Sequence, residues 1–181
     1  MLNKFTSREI RFLIAAVVVS LLILSTSLGA PVIAAWLRAE NLLGFVFIFA
    51  FVLTLVSLGA LAWDAKIGKV EIGIILSILA VFVFAAVRMN IPEERSHLVE
   101  YAIVSALFFE ALISRQPLMT IIKAATFAVI IASFVGLLDE MLQYLVPGRV
   151  FDMRDLLFNV GAAIGGAALV SVIANARLKS D

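Results

Sequence analysis

The sequence contains no cysteine, which excludes disulfides, thiolate metal sites and cysteine nucleophiles. Charged residues are also scarce, at 15% of the 181 residues, whereas a soluble domain has about 25%. The chain has no long basic run and no stretch in which aromatic and basic residues alternate. We therefore expect no nucleic-acid partner, and the net charge of +1 indicates no other class of partner.

Apolar residues are what the sequence has in excess. They make up 64% of the chain, with a mean hydropathy of +1.14, against roughly 45–50% apolar residues in soluble domains. A soluble core cannot hide that much apolar surface, and the charges fall in short stretches between long apolar runs. The sequence thus predicts an all-α fold: one polytopic integral membrane domain over residues 1–181, built as a bundle of transmembrane helices.

Six apolar segments approach the length of about 20 helical residues needed to cross the hydrocarbon core. The first follows Lys4, Arg8 and Arg11 and so resembles a signal peptide, but its apolar run is too long for one, and we interpret it as a retained span. Because the first three spans carry almost no polar residues, we interpret residues 10–87 as an apolar scaffold. The predicted spans are 10–28, 42–63, 72–87, 98–113, 121–146 and 156–174.

The charges in the connections between the spans predict the orientation of the bundle. With a cytoplasmic N-terminus, nine of the 14 lysines and arginines lie on the inner side and five on the outer side. Cytoplasmic loops carry an excess of positive charge, so this count favours placing both termini in the cytoplasm. Most acidic residues then fall near the outer side, where the stretches 88–101 and 139–159 meet.

The first polar cluster on this outer side surrounds the only histidine. His97, Glu100 and Tyr101 are spaced i, i+3 and i+4, which places them on one face at the start of the fourth span. A histidine beside a glutamate can hold a proton, bind a metal weakly or anchor local hydrogen bonds, and the sequence leaves these roles open. We assign no metal ligands and expect no cofactor.

The second cluster ends the fifth span. Gln143 follows Asp139 by four residues and Glu140 by three, so it shares a helical face with each of them. Burying the two carboxylates unpaired would cost several kcal/mol, and Arg149 follows the helix-breaking Pro147 closely enough to fold back and pair with them. The alternative is a solvated helix end that carries ordinary surface charge.

The third cluster begins the sixth span. Asp152 or Asp155 can cap this helix, and their negative charge suits its N-terminus. Asn159 lies one turn further on and should face the protein interior, where it can hydrogen-bond across helices. Gly161 and Gly165 form a GxxxG pattern, which predicts close helix packing.

Glu110 is an acidic residue within the apolar run of the fourth span. It lies near the inner end, and Arg115 follows it by five residues. We expect Glu110 to pair with Arg115 or to reach the interface along the helix, which makes it a structural residue.

Three motifs run through these clusters: Glu94-Arg95-x-His97-x-x-x-Tyr101, then Asp139-Glu140-x-x-Gln143-x-x-x-Pro147-Gly148-Arg149, then Asp152-x-x-Asp155-x-x-x-Asn159-x-Gly161. In this order they resemble the VanZ-like family of bacterial membrane proteins. The similarity covers residues 93–166, about half of the chain, and the three apolar spans before it look like an extension of the family's minimal form. The resemblance implies residence in the bacterial cytoplasmic (inner) membrane and a connection to the cell envelope. The family's founder is associated with low-level resistance to the glycopeptide teicoplanin, but the resemblance implies no defined reaction.

The leading hypothesis for function is recognition of a ligand in an outer-side pocket walled by apolar helices. Such a pocket can bind a lipid head group, a glycan or a glycolipopeptide, because it offers polar pairing beside a place for an acyl tail. The expected partners are therefore membrane lipid and a lipid-linked glycan or glycolipopeptide. The candidate pocket residues are Glu94, His97, Tyr101, Asp139, Glu140, Gln143, Arg149, Asp152, Asp155 and Asn159.

Two alternatives stay open. An intramembrane enzyme acting on a lipid-linked envelope substrate would use His97, Asp139 or Glu140 as a general base, although the sequence identifies no nucleophile and no catalytic residue is assigned. An accessory subunit or small transporter would use the GxxxG pattern to contact a partner helix or a second copy of the chain. In the transporter, Glu110 would carry the proton.

Overall fold

A computed structural model describes residues 5–63, 65–89, 95–115, 118–147 and 151–179, without the side chains of residues 30 and 31. Every element in these ranges is an α-helix, and six of the seven helices are long and apolar enough to cross a membrane. The prediction of an all-α membrane bundle with six spans is therefore confirmed. The helices are α1 (Ser7–Ser27), α2 (Ala30–Ala39), α3 (Leu43–Ala62), α4 (Lys69–Arg88), α5 (Arg95–Ile113), α6 (Ile121–Tyr144) and α7 (Met153–Leu178).

Helix α2 is the element that the sequence analysis did not predict. Its ten residues are too short to cross the hydrocarbon core, so it joins two spans without being one. Asn41 follows it with φ at 57°, in the left-handed region that asparagine adopts more readily than most residues. This turn ends α2 and directs the chain into α3.

Side-chain caps fix where three of the spans begin. The hydroxyl of Thr6 accepts the backbone N–H of Glu9 at 3.1 Å at the start of α1, and Thr120 plays the same part for α6. At the start of α7, Asp152 accepts the backbone N–H of Arg154 at 2.7 Å, so Asp152 and not Asp155 is the cap. A cap of this kind contributes about 0.5–2 kcal/mol, because it satisfies a backbone donor that the helix leaves open.

Helix α5 lies at the centre of the bundle, with α1, α6 and α7 packed around it. In contrast, α3 and α4 contain no buried residue and expose large apolar side chains such as Phe45 and Phe84. In a bilayer these faces meet lipid tails, so their exposure carries no hydrophobic cost. The buried core therefore belongs to α1, α5, α6 and α7, and the polar side chains of the bundle lie among these helices.

Small residues let the central helices approach one another closely. Along α6, Ala124, Ala128 and Ala132 are fully buried, each four residues from the next, and Gly136 continues the same face. On α7, Gly166 lies directly against the backbone of Ala102 on α5, with no room for a Cβ. Such contacts bring backbones together where lipid provides no hydrophobic drive for association.

The predicted packing surface at Gly161 needs a correction. Gly165 does pack closely, against the ring of Phe82 on α4, but a methyl group added at Gly161 would meet no described atom within 4 Å outside its own helix turn. Gly161 lies on the exposed side of α7. The close contacts of α7 come instead from the adjacent Gly165 and Gly166, which face α4 and α5 respectively.

Successive spans run in opposite directions, which brings distant polar residues to two ends of the bundle. At one end, called the His97 end, lie the last turn of α1, the first turns of α5 and α7, and the last turns of α6. At the other, called the Glu110 end, lie the first turn of α1 and the last turns of α5 and α7. All the predicted site clusters belong to the His97 end.

Candidate functional site

The carboxylate of Asp139 is the centre of the polar site at the His97 end. Its side chain is buried on α6 and accepts a hydrogen bond from the Tyr101 hydroxyl at 2.7 Å and one from Nε2 of Gln143 at 3.0 Å. The hydroxyl of Ser27 on α1 donates to its other oxygen. An isolated buried carboxylate would be very costly in an apolar bundle, and these three donors offset that cost.

Helical spacing explains how the sequence assembles this arrangement. His97 and Tyr101 stand four residues apart on α5, and Asp139 and Gln143 stand four apart on α6, so each helix presents two polar side chains on one face. Ser27 completes the set from α1. We call Ser27, His97, Tyr101, Asp139, Gln143 and Asn159 the Asp139 cluster.

His97 joins the third motif to the first. Its Nδ1 lies 3.1 Å from Oδ1 of Asn159 on α7 and 3.7 Å from a carboxylate oxygen of Asp139. Asn159 is completely buried, as its position within the last span predicted, and its Nδ2 has no hydrogen-bond partner among the described residues. Gly136 makes this approach possible, because a Cβ there would lie 3.0 Å from Cβ of Asn159 and 3.3 Å from the Tyr101 ring.

Glu140 lies beside the cluster but, unlike Asp139, has a carboxylate oxygen for which no hydrogen-bond donor is found among the described residues. It is 1% exposed, and its Oε1 has no hydrogen-bond partner in the described part of the chain. Its electrostatic neighbours include the carboxylates of Asp139 and Asp155, the ring of His97 and the backbone of Asp152. A buried carboxylate oxygen without a donor is unusual, because leaving such an acceptor unsatisfied costs about 1–3 kcal/mol or more.

The structure brings most of the predicted site residues together. His97, Tyr101, Asp139, Gln143 and Asn159 are in direct contact as described, and Glu140 adjoins them. Asp155 is half-buried near Glu140, whereas Asp152 is exposed and caps α7. Glu94 and Arg149 lie outside the described residues.

Ser27 is the site residue that sequence reasoning missed. It is buried at the last position of α1 and contacts Asp139, which is 112 residues further along the chain. A signal was available, since Ser25, Thr26 and Ser27 form a hydroxyl run at the end of an otherwise apolar span.

An apolar groove lies between α1 and α6 at the His97 end. Its volume is about 560 Å³, which is within the usual range of roughly 300–1,000 Å³ for small-molecule sites. Leu138 and Leu142 on its wall neighbour Asp139 and Gln143 along α6, and Leu24 lies three residues before Ser27. The groove is lined by Leu24, Leu138, Met141, Leu142, Tyr144, Leu145 and Phe151.

The Glu110 end holds a different kind of buried acid. The Glu110 carboxylate is completely buried and pairs with Arg177 at 2.6 Å and with Arg8 at 2.7 Å. Arg115 instead pairs with Glu9 at 2.5 Å, so the expectation that it pairs with Glu110 is wrong. The cause is that Glu110 faces α1 and α7, which supply the two guanidinium groups.

One subset of the site has the composition of a cation site. A ring nitrogen of His97, a carboxylate oxygen of Asp139 and one of Glu140 all lie within 4.8 Å of one another, and all three residues are buried. Within the described part of the chain, these three side chains form a group that could hold a metal ion.

The chain matches a known protein family over most of its length. A model of the VanZ/LLP1 family matches residues 6–174, nearly the whole chain. No curated protein and no solved structure matches significantly. Because the match begins at α1, the first three spans are part of the family region, which corrects the expectation that they extend a smaller core. The chain therefore belongs to the VanZ/LLP1 family, as its polar motifs predicted.

Proposed function

We propose that this protein binds a lipid-linked ligand of the bacterial cell envelope at the His97 end, with the polar head beside the Asp139 cluster and an acyl chain in the apolar groove. The observation that carries the proposal is that one stretch of α6, residues 138–144, contributes to both. A polar site and an apolar groove on the same turns of one helix suit an amphiphilic ligand.

The unpaired polar atoms of the site support a ligand with several hydrogen-bonding groups. Among the residues that the structure describes, the buried Oε1 of Glu140 has no donor and the buried Nδ2 of Asn159 has no acceptor. A sugar hydroxyl can satisfy either kind of group. A lipid head group, a glycan or a glycolipopeptide offers such hydroxyls, whereas a plain hydrocarbon does not.

The extracytoplasmic position of the site rests on the charge distribution. The nine-to-five bias of lysine and arginine favours cytoplasmic termini, and the His97 end then faces the outside of the inner membrane. Ligands from the cell envelope reach that side. In its most specific form, the proposal gives this protein a role in teicoplanin resistance, as is associated with the founder of the VanZ-like family.

Filling the groove tests the proposal. Leu142→Trp places a larger side chain in the groove wall, and Leu76→Trp is the matched control on the lipid-facing side of α4. Binding of teicoplanin and of a glycosylated polyprenyl phosphate is measured on the full chain in nanodiscs. We expect Leu142→Trp to weaken binding of at least one probe about tenfold, which corresponds to about 1.4 kcal/mol, and Leu76→Trp to leave it unchanged.

Two outcomes would overturn this assignment. Equal affinities for the two tryptophan variants would show that the groove is not used. Equal affinity for teicoplanin and for its deacylated form would show that no acyl chain contributes to binding.

An intramembrane enzyme is the second candidate, favoured by the contact between His97 and Asp139. A carboxylate near an imidazole nitrogen can orient the ring for proton transfer, as in many hydrolytic sites. Turnover of a lipid-linked substrate by the purified protein, abolished by His97→Gln, would place this function above simple recognition.

The transporter alternative is disfavoured at Glu110. Its carboxylate is held by Arg8 and Arg177, and a carboxylate in two ion pairs is a poor proton carrier, because protonation would break both pairs.

A further inference from the structure

The two ends of the bundle neutralise their buried acids in different ways. At the Glu110 end, one carboxylate faces two guanidinium groups. At the His97 end, two carboxylates, Asp139 and Glu140, lie side by side, and no lysine or arginine among the described residues forms an ion pair with either. Two adjacent carboxylates in an apolar bundle repel each other and need a positive partner.

The hydrogen bonds around this pair are unevenly distributed. Asp139 has three donors, from Ser27, Tyr101 and Gln143, whereas the buried Oε1 of Glu140 has none within the described ranges of the chain. A hydrogen-bonded carboxylate beside one with a free oxygen has the composition of a metal site. In such sites, hydrogen bonds from surrounding residues fix the ligand carboxylates and the ligand oxygens face the cation.

The ligand set indicates which kind of cation would fit. One imidazole nitrogen with two carboxylate oxygens suits Zn²⁺ or Mn²⁺, because imidazole is a poor ligand for Mg²⁺ and Ca²⁺. Zinc–ligand bonds of about 2.1 Å place tetrahedral ligand atoms about 3.4 Å apart, and the three groups here already lie within 4.8 Å. Nδ1 of His97 lies against the acceptor Oδ1 of Asn159 and therefore carries the ring proton, which leaves Nε2 as the nitrogen that binds the ion.

We propose that His97, Asp139 and Glu140 bind one divalent cation of the zinc type. Three protein ligands leave the fourth position of a tetrahedral ion open for water or for an oxygen of a ligand. The carboxamide of Asn159, 3.1 Å from Nδ1 of His97, and the hydroxyl of Tyr101 on Asp139 orient the ligand side chains. Because the ion uses the carboxylate of Glu140, the head group of a lipid-linked ligand would contact the open position of the ion and not Glu140 itself. Zinc binding does not require that ligand to be present.

The test measures metal on the full chain, purified in nanodiscs through a tag that contains no histidine. After treatment with a chelator, the protein is dialysed against Zn²⁺, and bound zinc is measured by mass spectrometry and its affinity by competition with a chromophoric chelator. We expect about one zinc per chain, retained in the presence of millimolar Mg²⁺. Substitution with Co²⁺ should give the visible absorption of a tetrahedral ion.

Matched variants localise the ion. Glu140→Gln removes one proposed ligand and should weaken zinc binding about 100-fold or more, whereas Glu71→Gln, at the opposite end of the bundle, should leave it within about twofold. Thermal unfolding in the absence of metal checks that both variants are folded, and zinc should raise the unfolding temperature of Glu71→Gln but not of Glu140→Gln. If Glu140→Gln fails to fold, His97→Gln takes its place.

Three outcomes would overturn the proposal. They are the absence of stoichiometric zinc on the unsubstituted protein, displacement of zinc by millimolar Mg²⁺, and equal zinc affinity in the folded ligand variant and Glu71→Gln. Binding of the lipid-linked ligand is tested separately with Leu142→Trp, which changes no proposed metal ligand. Failure of one proposal can therefore be told apart from failure of the other.

Discussion

Replacing Tyr101 tests how much one hydrogen bond to the buried carboxylate of Asp139 contributes to stability. Tyr101→Phe removes the hydroxyl that donates to Asp139 at 2.7 Å and keeps the ring in place. Since Asp139 then loses one of three donors in a buried site, we expect the free energy of unfolding to fall by about 1–3 kcal/mol. Thermal or denaturant unfolding in bicelles measures it.

Tyr144→Phe is the matched control for this prediction. Tyr144 lies on the same helix as Asp139, near the same end of the bundle, but it is 63% exposed. Its substitution should change the free energy of unfolding by no more than about 0.5 kcal/mol. Equal losses in the two variants would contradict the role given to the Tyr101 hydroxyl.

Individual residues also show how far the sequence could predict the site. Spacing within one helix predicted the shared faces of His97 with Tyr101 and of Asp139 with Gln143, because helical periodicity is a local property. Contacts between helices were not predictable in the same way. Ser27 contacts Asp139 across 112 residues and Arg8 reaches Glu110 across 102, and no local pattern specifies which helices become neighbours.

At the scale of the elements, the packing of α7 on α5 depends on Gly166. Gly166→Ala would place a methyl group against the backbone of Ala102, which can yield only if the helices separate. Overpacking of this kind costs about 1–3 kcal/mol, and it should also displace His97 and Asn159 from one another. We expect a lower unfolding temperature and faster proteolysis of the loops.

Gly161→Ala on the same helix is the control. The added methyl group meets no described atom within 4 Å, and alanine favours a helix over glycine by up to about 1 kcal/mol. The unfolding temperature should therefore stay the same or rise slightly. A loss as large as that of Gly166→Ala would mean that Gly161 packs against another helix, for example in a second copy of the chain.

The helices themselves were largely predictable, and their differences from the prediction have a simple cause. An apolar run stops at the first charged residue, whereas helical hydrogen bonding continues through it, so the predicted span 72–87 is observed as Lys69–Arg88 and the span 98–113 as Arg95–Ile113. Helix α2 was not predicted because it is short. Its ten residues are mostly apolar but too few to cross a membrane, and the prediction counted only segments of spanning length.

At the scale of the whole molecule, the bundle separates two polar ends by a lipid-facing middle. The motifs predicted that distant stretches meet at one end, and the contacts of His97, Tyr101, Asp139 and Asn159 join the same stretches. The sequence analysis took the first three spans as scaffold. Helix α1 nevertheless contributes Ser27 at one end and Arg8 at the other. The sequence did not predict this, because a single polar side chain at the end of a span carries no periodic signal.

The orientation of the molecule can be measured directly because the chain has no cysteine of its own. Met153→Cys is exposed at the His97 end, and Lys179→Cys is exposed at the Glu110 end. With intact bacterial cells and a membrane-impermeant maleimide, we expect labelling of Met153→Cys alone, since the positive charges favour cytoplasmic termini. Labelling of Lys179→Cys before permeabilisation, with Met153→Cys protected, would place the site in the cytoplasm.

The most direct measurement is photocrosslinking in living cells with a benzophenone amino acid at Leu145, on the groove wall, and at Leu76, on the lipid-facing side of α4. Mass spectrometry then identifies the lipids captured at each position. If the polar site and the groove bind one amphiphilic ligand, Leu145 captures a lipid with a glycan or peptide head group, enriched over its share of the membrane. Capture of the same bulk phospholipids in the same proportions at both positions would contradict the account.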